Sequence, residues 1–188
     1  MRKWQWGGGI VAALMAPAAV SAALAGGTAW YSDAQSWLLM SASLTDLVGA
    51  RRGDFIVPGV AIREQLDLAM SGAPDPEIPV SGGFKLRGSG RLHSDTEGGA
   101  LVVDDGNRVV YAGLLSHRCH WQRGGGASLP ECDTAPHLTI FARSMAPPAV
   151  ISAFADWAAS HPTPWNEPGD VSHGHDLGLI TEIEIDPR

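Results

Sequence analysis

Cys119 and Cys132 are the only cysteines in the chain, and they are the residues whose type and spacing most plainly invite chemistry. Around them stand His117, His120, Trp121, Gln122, Arg123 and His137. In an oxidising compartment the two sulfurs join, and closing a loop of about 14 residues is worth roughly 3 kcal/mol in chain entropy. As thiolates they could instead gather His117, His120 and His137 around zinc. Their spacing matches no paired-cysteine zinc motif, and an oxidised sulfur cannot ligate as a thiolate. The disulfide Cys119–Cys132 is therefore the expectation. Gly124, Gly125 and Gly126 let the intervening segment double back. The bridge would then pin the base of a finger carrying His120, Trp121, Gln122 and Arg123, an aromatic anchor beside a cation, as found at binding hot spots.

A second group with ligand chemistry is His173-Gly174-His175-Asp176. Two neutral imidazoles one residue apart, with an adjacent carboxylate, can coordinate copper or zinc. A solvated polar turn explains the same residues, so no cofactor is expected and zinc or copper is the alternative. Catalytic signatures are missing. A Cys–His hydrolase using His137 or His161 needs an ionised thiol, which the second cysteine removes. There is no Gly-x-Ser-x-Gly elbow and no phosphate-binding loop, and Gly88-Ser89-Gly90 reads as a turn between short strands. Glu131 with Asp133, and Asp104 with Asp105, read as solvated loop and turn carboxylates. Arg52-Gly53-Asp54 is a tripeptide that recurs by chance and is assigned no role. No catalytic residue is expected.

The oxidising compartment is implied by the first thirty residues. Met1-Arg2-Lys3 is a basic start, residues 10–16 are an unbroken apolar run, Pro17 ends it, and Ala18-Ala19-Val20-Ser21-Ala22 offers small residues for a cleavage site. Ala23-Leu24-Ala25 is a second fit. No charge occurs from Trp4 to Tyr31, so the same stretch could also stay in the inner membrane as an anchor, with its N-terminus in the cytoplasm. Either way residues 31–188 work outside, in the periplasm. The formal charge is −7 for the whole chain, from 13 basic and 20 acidic residues, and loss of Arg2 and Lys3 would leave a body near −9. Such a surface repels phosphate backbones and anionic lipid, which argues against nucleic acid as a partner.

These groups must be held by a core that 188 residues, 45% of them hydrophobic, can build once. Ser32-Asp33-Ala34-Gln35 is a capping box, and Trp37, Met40, Leu44 and Val48 follow at helical spacing up to Gly49. A second helix is expected over 60–71, with Ile62, Leu66, Ala69 and Met70 on one face and Gly72 after it. Three prolines between 73 and 79 make a rigid irregular connector. Strands follow: 84–86, 91–93, 100–103, 108–111, 137–143 and 179–185. The pair 100–103 and 108–111 should form a hairpin, with the Asp105-Gly106 step supplying positive φ. In the last strand, Ile183 and Ile185 alternate with Glu182, Glu184 and Asp186, as on a sheet with one wet face. A third helix enters at Pro147-Pro148 and carries Val150, Ile151, Phe154, Trp157 and Ala158 inward. Trp37 and Trp157 thus read as core, whereas Trp121 and Trp165 lie in loops suited to a partner.

The expectation is a single α+β domain at 31–188, a mainly antiparallel sheet with about three helices on one face, preceded by a signal or anchor segment at 1–30. Its function is expected to be binding: an inhibitory or accessory envelope protein that engages another envelope or secreted protein through the bridged loop. The alternative is a metal-binding protein or metal-dependent hydrolase using His173, His175 and Asp176. Intact mass of protein isolated from the native envelope should show both thiols alkylated only after reduction, with the leader lost if it is a signal and retained if it is an anchor. A full-length cytosolic product with both thiols alkylated directly would overturn the export reading.

Overall fold

A computed structural model describes residues 34–94, 96–121, 130–133, 135–161 and 180–185. The proposed leader and the Ser32 cap lie outside them. Helix α1 (Ala34–Val48) runs into a short antiparallel pair, β1 (Arg52–Gly53) with β2 (Val60–Ala61), and then α2 (Ile62–Ala69). Strands β3 (Ile78–Val80), β4 (Phe84–Gly90), β5 (Gly98–Val103) and β6 (Val109–Ser116) follow. A second short pair, β7 (Cys119–His120) with β8 (Glu131–Cys132), precedes β9 (His137–Ala142), α3 (Pro148–Ala159) and β10 (Ile180–Ile185). The main sheet has six strands in the order β10-β9-β6-β5-β4-β3. Every pairing is antiparallel except β10 on β9, and that parallel pair requires a crossover, which includes α3. Among the described residues no helix is long and apolar enough to cross a membrane.

Helices cover both faces of the sheet, not one. Met40, Leu44 and Val48 of α1 and Ile62, Leu66 and Ala69 of α2 pack with Leu101, Val103, Ala112, Leu114 and Phe141. Val150, Phe154 and Trp157 of α3 pack with the opposite parity: Leu86, Ala100, Val102, Leu115, Leu138 and Ile140. The physical reason lies in the strands. β5 and β9 are buried at every residue and β6 at all but one, so neither side can face water, and each needs its own helical cover.

Several local expectations change. Residues 84–90 form one strand, and Gly88-Ser89-Gly90 is its interior rather than a turn. The glycine is there because α3 lies close: a Cβ on Gly88 would stand 2.1 Å from Trp157 Nε1, and one on Gly113 2.6 Å from Phe154 Cε1. The indole N–H donates to Asp75 Oδ2 at 2.8 Å, satisfying a buried polar group. Residues 91–93 are not a strand, since the chain turns there with His93 at φ 63°. The proline-rich connector ends in an edge strand, where Pro79 costs no interior ladder bond. In the β5–β6 hairpin the positive φ falls on Asn107 and not on Gly106. Asp104 shapes that turn by accepting the Gly106 and Arg108 N–H groups on Oδ1, each at 2.9 Å. Burial pushes the Asp104 carboxyl up, but these donors and the Arg108 guanidinium outweigh it and hold the group below its ordinary value.

Other elements fall where the sequence puts them. Gly49, at φ 59°, donates to the Thr45 carbonyl and ends α1, and Pro147 and Pro148 open α3. The side chain of Trp37 lies outside the described residues. Gly88→Ala should destabilise the domain by about 1–3 kcal/mol, because indole and backbone cannot both stay in place. Denaturant unfolding measures this, and an unchanged midpoint would mean that Trp157 is not seated on β4.

Candidate functional site

β6 and β9 are neighbours in the sheet, and the chain leaving one and entering the other continues as the β7–β8 ladder. Cys119 pairs with Cys132 in that ladder, with Cα atoms 4.0 Å apart, and the two sulfurs are bonded. The next rung is His120 opposite Glu131, and Trp121 follows with 56% of its surface exposed. The bridge therefore closes a ribbon at its root and carries an aromatic side chain into solvent. Gln122 and Arg123, the other two residues expected on the finger, lie outside the described residues, as do Trp165, His173, His175 and Asp176.

The root is tied down by backbone and imidazole bonds. Cys119 N–H donates to the Phe55 carbonyl at 3.0 Å, and Asp133 N–H to the Arg118 carbonyl at 2.9 Å. His117 Nδ1 pairs with the Asp133 carbonyl at 3.1 Å, and His137 Nε2 lies 2.9 Å from Asp133 Oδ2. His117 and His137 thus converge on Asp133, through its carbonyl and its carboxylate, while His137 Nδ1 lies 3.8 Å from Glu182 Oε1 and the two sulfurs are bonded to each other. Among the described residues no three His, Cys, Asp or Glu side chains are grouped to hold a metal ion. His161 is remote from this region, with Nε2 3.4 Å from Asp75 Oδ2 beside Trp157.

Beside the ribbon root is a cleft of about 300 Å³, lined by Arg52, Asp54, Phe55, Arg118, His120, Asp133 and Glu184 among others. One wall is the β1–β2 loop, and a residue without any sequence-level signal holds it. Gln65, fully buried on α2, accepts the Val57 N–H at 3.1 Å and donates to the carbonyls of Gly53 and Val60, each at 2.9 Å. Within the loop, Arg52 Nη1 donates to the Gly59 carbonyl and Gly59 N–H to Asp54 Oδ1. The Arg52-Gly53-Asp54 tripeptide is accordingly a turn-forming piece on the cleft rim. The back wall is Arg118, whose guanidinium lies 5.6 Å from the Phe55 ring centroid and bonds to Glu182. Glu184 stands 3.8 Å from Arg118 and 3.9 Å from Arg51. Glu182 and Glu184 are therefore half-buried ion-pair partners, not the wet side of β10.

One corner of the sheet next to this wall is polar where it should be apolar. Four buried side-chain atoms have no hydrogen-bond partner among the described residues: Ser116 Oγ, Arg118 Nε, His137 Nδ1 and Thr139 Oγ1. Ser116 is opposite His137, Leu114 opposite Thr139, and Thr139 opposite Glu182. Strand alternation turns Ser116, His137 and Thr139 to the face that also carries Leu114 and Phe141. A buried polar atom left unsatisfied costs about 1–3 kcal/mol. The sequence holds a signal for one of them: Thr139 is a hydroxyl inside a strand whose residues 138–142 are otherwise apolar on both parities.

The chain matches no protein-family model, no curated protein and no solved structure. Fold and site geometry are thus the grounds for a functional reading. Replacing both cysteines with serine should lower stability by roughly 3 kcal/mol while the far-UV circular dichroism of the sheet persists. Denaturant unfolding of the double variant against wild type measures it, and equal midpoints would make the bridge energetically idle.

Proposed function

We propose that this protein is exported and acts in the periplasm as a binding module, inhibitory or accessory to another envelope or secreted protein, which it engages through the Cys119–Cys132 ribbon. The N-terminal segment would serve as a cleaved signal or as an inner-membrane tether. The observation that carries the reading is the ribbon itself. A disulfide across the first rung of a two-residue ladder holds its root, while His120 and Trp121 project into solvent. Fixing the root in advance lowers the ordering cost of association, so more of the contact energy appears as affinity. An exposed tryptophan on such a support has the character of an interface anchor.

The charge balance supports a protein partner over a polyanion. A chain at −7 would be repelled by nucleic acid and would associate fastest with a basic surface. The cleft at the ribbon root offers polar groups for the rim of such a contact, with Arg52, Asp54 and His120 at its edge.

Simultaneous Trp121→Ala and Arg123→Ala substitution should weaken capture of the envelope partner about 30-fold or more, as loss of a hot spot worth at least 2 kcal/mol implies. Quantitative pull-downs from envelope extract with wild type and double variant make the comparison. Retention of every captured protein at wild-type affinity would remove the ribbon as the binding surface.

A further inference from the structure

We infer that the ribbon is one of three projections sharing a single footprint, with Leu92 and Val57 at the tips of the other two, and that they fit a protein surface that is an apolar concavity rimmed by lysine or arginine. The inference rests on the ribbon reading and extends it to two further segments. A two-rung ladder is too small to carry a stable contact by itself. Trp121 can bury about 150–250 Å², whereas a specific interface takes about 800 Å² from each protein. The remainder must come from what stands beside the ribbon.

Strand register says what that is. Gly90 pairs with Gly98, Gly98 with Leu115, and Ser116 with His137, so β4, β5, β6 and β9 all reach the same end of the sheet. The β4–β5 connection therefore leaves from the end that carries the ribbon, one to two strand spacings away, or about 5–10 Å. It presents Leu92, 58% exposed. The β1–β2 loop reaches this end too, since the Phe55 carbonyl accepts the Cys119 N–H at 3.0 Å, and it presents Val57, 37% exposed. Met145 and Ile185, also exposed, lie at the opposite end, past β9 and at the close of β10.

Both added projections are shaped before contact. Leu92 N–H donates to Ser71 Oγ at 3.1 Å, Arg91 N–H to the Glu97 carbonyl at 2.8 Å, and His93 turns the chain at φ 63°. Gln65 holds the β1–β2 loop through Val57 N–H and the Gly53 carbonyl. Little ordering entropy is then lost when the three tips engage together. Tips that project past the last rungs are convex, so their complement is concave, and apolar tips call for an apolar lining. Charge sets the rim. Asp54, Glu131 and Asp133 stand at this end, while Arg91 is offset by Glu97 and Arg118 by Glu182. With −7 on the whole chain, a basic rim is the attractive one.

The test is site-specific photo-crosslinking of the full chain in its native envelope, with para-benzoyl-phenylalanine replacing Val57, Leu92, Trp121 or, as the control, Met145. Expected are adducts of one protein at positions 57, 92 and 121 and none at 145. Mass spectrometry of the adduct should identify a protein of net positive charge, and adduct yield should fall about threefold or more in about 0.5 M salt. An adduct at 121 without 57 and 92 leaves the ribbon reading standing and overturns this one. Absence of an adduct at 121 overturns both. Equal yield at 145 reduces the pattern to mere exposure and overturns the shared footprint, and an acidic or salt-insensitive adduct overturns the basic rim.

Discussion

β6 and β9 lie side by side in the middle of a sheet with helices on both faces, and their pairing sets the position of nearly everything else. Because Ala112, Leu114 and Phe141 point to one side while Leu115, Leu138 and Ile140 point to the other, the two strands cannot slip in register without driving a whole apolar set off its layer. That register places Ser116 against His137 and delivers the chain ends to the Cys119–Cys132 rung. The disulfide thus extends a pairing that the core has already imposed.

Close approach of the helices is the second consequence. Gly88 and Gly113 let Trp157 and Phe154 settle against the strands, and Trp157 buries its ring at the cost of one polar group, which Asp75 satisfies. On the other face Arg87 is the large polar exception. It bonds to Glu77 at 2.8 Å and holds that carboxyl below its ordinary range, against the upward push of burial. Both faces therefore obey one rule: a polar group enters the interior with a partner. His137 follows it through Asp133, whereas the Ser116 and Thr139 hydroxyls have no such partner among the described residues.

Ribbon, cleft and corner form a graded sequence from solvent to core. Trp121 and His120 are exposed, Arg118 and Glu184 are half-covered, and Ser116 and Thr139 are buried. Arg118 takes part in the last two levels through its Phe55 contact and its carboxylate partners.

Much of this was determined by the sequence alone, because it rests on local rules. Helical spacing with Gly49 as terminator, Pro147-Pro148 at a helix entry, the strand pattern around the hairpin, and two cysteines beyond a leader-like segment are all signals carried by neighbours in the chain. Tertiary structure decided the rest. Whether Gly88-Ser89-Gly90 was turn or strand depended on where Trp157 would land. Glu182 and Glu184 became ion-pair partners only because Arg118 and Arg51 arrive from distant segments, and Gln65 matters only because a loop folds over it. Such roles arise when residues far apart in the chain are desolvated together, and no window of sequence contains both sides of that contact.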